Sequence, residues 1–99
     1  MATYIIDTET NGLLKDLDTI HCMVIRCVET DEVLTCSDTS DMRVIDGLEL
    51  LMGEDSKLET KFVGHNLIGF DIPAITKCYY WFELPEHKCF DTLVASRLI

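Results

Sequence analysis

No run of eighteen or more apolar residues occurs in this 99-residue chain, so no ordinary membrane-spanning helix and no membrane partner are expected. No basic N-terminal region leads into an apolar stretch, so no secretory signal is read and a cytosolic location is the expectation. The five cysteines, Cys22, Cys27, Cys36, Cys78 and Cys89, are odd in number and include no C-x-x-C pair. That argues against a disulfide framework and against a zinc knuckle. His21 with Cys22 and Cys27 is therefore read as a strand carrying small buried thiols rather than a metal site. Positive charge is scarce: 8 Lys and Arg stand against 18 Asp and Glu, a net charge of −10. Such a surface repels nucleic acid at long range. The excess is uneven, with ten of the acids between Glu29 and Glu59, a segment read as a solvated outer face. A protein of this charge that handles nucleic acid needs bound metal or a basic neighbouring module. Repeats, low-complexity segments and linkers are also missing, so residues 1–99 are read as one domain. With 47% hydrophobic residues, the chain has enough apolar surface for a core and is not of the disordered class.

The chain begins with an apolar run, read as a strand over residues 3–8 and followed by an Asn11-Gly12 turn. Residues 20–28 read as a second strand, Thr30-Asp31-Glu32 as a tight polar connection, and residues 33–36 as a third strand, completing an antiparallel meander. The period then changes. Val44, Ile45, Leu48, Leu51 and Met52 recur at helical spacing over residues 41–52, with Ser40 or Asp41 as the cap and Gly53 as the stop. Phe62-Val63-Gly64 reads as a buried strand and residues 65–70 as a loop. Asp71 reads as the N-cap of a second helix with Pro73 in its first turn and Ile72, Ile75, Tyr79 and Phe82 inward. Residues 88–90 read as a short strand. Asp91-Thr92 then caps a third helix carrying Leu93, Val94 and Leu98. The order β-β-β-α-β-α-β-α predicts an α/β fold of ribonuclease H-like type, with a mixed sheet in which the meander is extended by parallel strands. Strand 1 is expected at its centre, with Asp71 brought towards the end of that strand.

That strand carries the first chemistry. Asp7 and Glu9 are spaced i, i+2, so they project from one face. Two neighbouring carboxylates repel, and a hard divalent cation such as Mg²⁺ or Mn²⁺ relieves the conflict. Taken alone, the same pair is also how a strand runs out into the polar turn Thr8-Glu9-Thr10-Asn11-Gly12.

Two motifs stand together: Asp7-Thr8-Glu9-Thr10 on the first strand, and Asn66-Leu67-Ile68-Gly69-Phe70-Asp71 opening a helix. With them the sequence resembles the DEDD 3′–5′ exonucleases, the proofreading domains of DNA polymerases. It is most similar to the N-terminal exonuclease domain of family A DNA polymerases from short-tailed bacteriophages. The first motif matches that family's D-x-E and the second its N-x-x-x-[FY]-D. His65-Asn66, Asp71-Ile72-Pro73-Ala74, Asp91-Thr92-Leu93-Val94 and Ser96-Arg97-Leu98-Ile99 look like the phage version.

The resemblance implies hydrolysis of phosphodiesters at the 3′ end of single-stranded DNA by two divalent ions, Mg²⁺ or Mn²⁺, about 3.5–4 Å apart. It implies that Asp7 bridges the two ions, that Glu9 binds the first and touches the terminal 3′-OH, and that Asp71 holds the second, partly through water. Asn66 would orient the strand end near its phosphates, Leu13 would wedge against the terminal base, and Phe70 falls in the same DNA-contacting set. The location implied is the cytoplasm of an infected bacterial host. Each residue also has a plain structural reading: Asp71 as a helix cap, Asn66 as a turn residue, and His65 as a loop hydrogen-bonder. Asp91 is read as an N-cap outside the site, and the Tyr79-Tyr80-Trp81-Phe82 cluster as core and rim.

The sequence departs from the family in one respect. The fourth carboxylate, in a late Y-x-x-x-D or H-x-x-x-x-D motif whose Tyr or His positions the water, has no counterpart here. Asp91 comes too early and has neither Tyr nor His at the required spacing before it. The expectation is a partial exonuclease domain, truncated at its C-terminus and weakly active alone. A second polypeptide would dock on the apolar side of the 91–99 helix and supply the missing acid. The alternative is a non-catalytic acidic interaction module, or a split-polymerase subunit, on the same scaffold.

Overall fold

The structure, a computed structural model, describes residues 2–57 and 59–93. Its elements are strands β1 (Ala2–Thr10), β2 (Ile20–Cys27) and β3 (Val33–Ser37), helix α1 (Val44–Asp55), strand β4 (Thr60–Gly64), helix α2 (Ile72–Cys78) and strand β5 (Cys89–Asp91). The sheet order is β3-β2-β1-β4-β5. β1 runs antiparallel to β2 and parallel to β4, and β4 is parallel to β5. The expected mixed sheet is therefore present, with β1 at its centre.

Alternation along β1 divides the sheet into two faces. Ile6 and Thr8 are buried, whereas Ile5, Asp7 and Glu9 are exposed. Ile6 lies opposite Ile25, and Thr8 opposite Met23. Tyr4 pairs with Phe62, and Phe62 with Cys89. These inward residues form the core with Leu48 and Leu51 of α1 and Ala74 and Ile75 of α2. α1 comes close to the sheet because of Gly47. A Cβ there would lie 2.6 Å from both the Cys36 Sγ and the Met23 Cε, inside van der Waals contact.

α1 starts and ends later than its periodicity suggests. Ser40 is not its cap, because its hydroxyl is engaged with Ser37 Oγ at 2.8 Å. Met42 bridges to Cys36 and keeps this stretch extended. The N-cap is Arg43, whose backbone N–H donates to the Asp46 carboxylate at 3.0 Å. Gly53 does not stop the helix. Nothing crowds it, and the end comes at Ser56, whose hydroxyl donates to the Gly53 carbonyl at 2.6 Å.

The stretch expected as a loop before α2 is a widened helical turn, Leu67–Asp71. The Asp71 N–H donates to the Asn66 carbonyl, and that of Ile72 to Leu67. Pro73 has no N–H to offer the Gly69 carbonyl, and the i→i+5 pattern just before it accommodates that gap. α2 is shorter than expected. Tyr79 leaves the helix at φ −132°, ψ 82°, and Phe82 reaches the core from the segment beyond. The third helix begins at Thr92 and Leu93; the remainder of that expected helix, with Val94 and Leu98, lies outside the described residues.

Candidate active site

β1 delivers Asp7 and Glu9 to its exposed face near the strand's C-terminal end. Immediately past Glu9 the register with β2 shifts, so that Glu9 opposes Cys22 and Thr10 opposes Ile20. Such an irregularity increases local twist and re-aims side chains. Thr8, between the two acids, points into the protein. Its hydroxyl donates to Asp71 Oδ1 at 2.5 Å, across 63 residues of sequence.

Asp71 is not the helix cap its sequence position suggests. Its backbone is helical, at φ −59° and ψ −49°, and its side chain makes no capping hydrogen bond. The widened turn instead points the carboxylate at β1, where it is 4% exposed. Burial pushes its pKa up to about 6, and the negative charges of Asp7 and Asp91 add to the rise, while the bond from Thr8 opposes it. A raised carboxyl beside another carboxylate marks a place that lacks positive charge.

Asp91 supports this turn from β5. It accepts the N–H of Asn66 on Oδ1 at 2.9 Å and that of Ile68 on Oδ2 at 3.0 Å. It also accepts Leu93 N–H at 2.9 Å, as the N-cap reading predicts. Asn66 is left-handed at φ 65°, a conformation Asn tolerates in turns. Gly69 packs so tightly on the Asn66 carboxamide that a Cβ would collide with its Oδ1. Phe70 is half-buried against the core, and His65 Nδ1 lies 3.0 Å from Thr92 Oγ1. Leu13 projects from the β1–β2 loop at 69% exposure. That loop is tied by Asn11 Nδ2 to Asp18 Oδ1 at 2.6 Å and by Lys77 Nζ to the Leu14 carbonyl at 2.9 Å.

The structure thus brings Asp71 to the strand that carries Asp7 and Glu9. Asn66 and Phe70 lie on the same turn as Asp71, and Leu13 stands apart on its loop. Among the described residues, no three His, Cys, Asp or Glu side chains converge closely enough to hold a metal ion. The apolar cavity of about 550 Å³ lined by Ile68, Ile72, Pro73, Leu84 and Cys89 includes none of the three acids. Sequence reasoning missed Asp91 and Thr8 as parts of the site. Asp91 gives no local signal for its grip on a turn 25 residues away. Thr8 does give one, being polar at an inward position of a buried strand.

A five-stranded mixed sheet with a central β1, flanked by α1 and α2, with acids at the end of that strand, defines an α/β domain of the ribonuclease H-like type. No family model matches the chain. Over 98 residues, 94% of its length, it is 35% identical to the DNA-directed DNA polymerase of Escherichia phage T7. It is equally identical, over the same extent, to that of Enterobacteria phage T3. The chain spans 13% of the length of each. Its sequence is thus similar to one segment of these phage polymerases. The family B DNA polymerase of the hyperthermophilic archaeon Pyrobaculum calidifontis shares the fold, with a TM-score of 0.55 at 19% identity over 89% of this chain and 12% of that one. No helix among the described residues is long and apolar enough to cross a membrane.

Proposed function

We propose that this domain is a 3′–5′ exonuclease unit of a phage DNA polymerase, acting on single-stranded DNA 3′ ends in the cytoplasm of the infected host. The observation that carries this reading is the seating of Asp71 against β1, through Thr8 and beside Asp7. Carboxylate oxygens are the donors that Mg²⁺ and Mn²⁺ prefer, and the mutual repulsion of Asp7 and Asp71 supports a cation between them. When bound, such ions supply a nucleophilic water and charge relief on the leaving oxygen. Asp7, Glu9 and Asp71 would hold them. Asn66, Phe70 and Leu13 would guide the strand end, Leu13 by offering an exposed apolar surface to the last base. A fourth acid would come from outside residues 2–93, from the same polypeptide or from a second one.

The test is degradation of 3′-labelled single-stranded DNA with Mg²⁺ or Mn²⁺. Slow, metal-dependent shortening that disappears in Asp7→Ala supports the reading; shortening unaffected by that change refutes it. A second reading, a non-catalytic interaction module on the same scaffold, is favoured by the absence of three converging ligands among the described residues. It predicts no divalent-ion binding that depends on Asp7.

A further inference from the structure

The geometry points to Thr8 as the positioning residue that sets the Asp71 carboxylate for metal binding, an inference that rests on the metal-dependent reading above. Thr8 occupies an inward position between Ile6 and the end of β1, opposite Met23, and is 8% exposed. An isosteric valine would satisfy the strand and the apolar surroundings there equally well, since β-branched side chains suit both. The hydroxyl is therefore explained by its partner rather than by the strand. Its partner is the buried oxygen of Asp71 at 2.5 Å, and a bond to a carboxylate is of the stronger, charge-assisted kind.

The consequence is geometric. Asp91 fixes the backbone of the turn at Asn66 and Ile68, but neither bond reaches the Asp71 side chain. Thr8 does, tying Oδ1 to the sheet and so fixing the orientation in which the carboxylate would meet a cation. Thr8 thus joins the two acidic motifs as an outer-shell partner that orients a ligand without touching the ion.

The experiment is a Mn²⁺ titration of the whole chain followed by electron paramagnetic resonance, with Thr8→Val, Thr8→Ser and Asp7→Asn alongside. Thermal melts of the metal-free proteins establish that each is folded. Thr8→Val is expected to weaken Mn²⁺ binding by roughly 10- to 100-fold, the usual effect of losing an outer-shell partner, while Thr8→Ser stays near the parent. Should Thr8→Val not fold, Thr8→Ala removes the same hydroxyl and carries the same expectation. Folded Thr8→Val that binds Mn²⁺ as tightly as the parent overturns the positioning role and leaves the metal reading intact. A parent chain with no Asp7-dependent Mn²⁺ binding overturns both.

Discussion

The two ends of the central strand are both acidic, yet their acids live under opposite conditions. At the amino end, Glu29 accepts the Thr3 N–H at 2.7 Å, and Glu54 pairs with Lys57 at 2.9 Å. Hydrogen bonds, from the Thr3 backbone and from Lys57 respectively, hold both carboxyls below their ordinary range. Glu54 also faces Tyr4, whose pKa burial, helped by that carboxylate, raises to about 12. At the carboxyl end, Asp71 is buried beside Asp7 and Asp91 and is pushed the other way. The two acids at the amino end are held by a backbone N–H and a lysine, whereas Asp71 is buried beside two other carboxylates and is met by the Thr8 hydroxyl. Their number is similar, so the count of acidic residues says little; the environment marks where a cation would be drawn.

The sharpest way to break this contrast is to remove the competing charges. Asp7→Asn and Asp71→Asn should each abolish the rise in melting temperature that Mn²⁺ gives the parent chain, since an ion stabilises only the state that binds it. Next in size, Asp91→Ala leaves the Asn66 and Ile68 N–H groups without their acceptor. It should cost about 3 kcal/mol in urea unfolding, the scale for hydrogen bonds to a buried charged group and the donors it orphans.

Titration should separate the ends further. Asp71 has a folded pKa raised from 3.8 to about 6. Its stabilising contribution is full below the unfolded value and is lost as pH rises through the folded one. Metal-free chain should therefore lose stability between about pH 4 and pH 6 through this group, and Asp71→Asn should flatten that slope in pH-dependent melts. Glu29 and Glu54, with lowered pKa values, contribute above their unfolded value and lose that contribution as pH falls through the folded one, in a more acidic window. The smallest effect belongs to the amino end. Lys57→Ala breaks a pair whose lysine is exposed while Glu54 is mostly covered, should cost about 1 kcal/mol, and should leave the Mn²⁺ response unchanged by the same melting assay.

The sheet was legible because its signals are local and periodic. Ile6 alternates with Asp7, and helical spacing begins at Val44, so strand and helix declare themselves within a few residues. The start of α1 was not legible, because Ser40 is claimed by Ser37 and Met42 by Cys36, partners that only the folded chain supplies. For the site, Asp7 and Glu9 could be found by their two-residue spacing, and Asp71 by its place in a motif. The true job of Asp71 could not, since an aspartate ahead of a proline-led helix looks the same whether it caps or reaches back to β1. The roles of Thr8 and Asp91 depend on contacts 63 and 25 residues away in sequence, beyond any local pattern.

The grip of Asp91 on the Asn66–Ile68 backbone links two otherwise separate timescales. Asp91 belongs to β5, a strand of three residues at the margin of the described sheet. Short marginal strands open locally far more often than a whole domain unfolds. Each such opening would release the turn that carries Asp71, so the lifetime of an ordered site is bounded by the fraying of that edge, and amide exchange at Phe90 would serve as its clock.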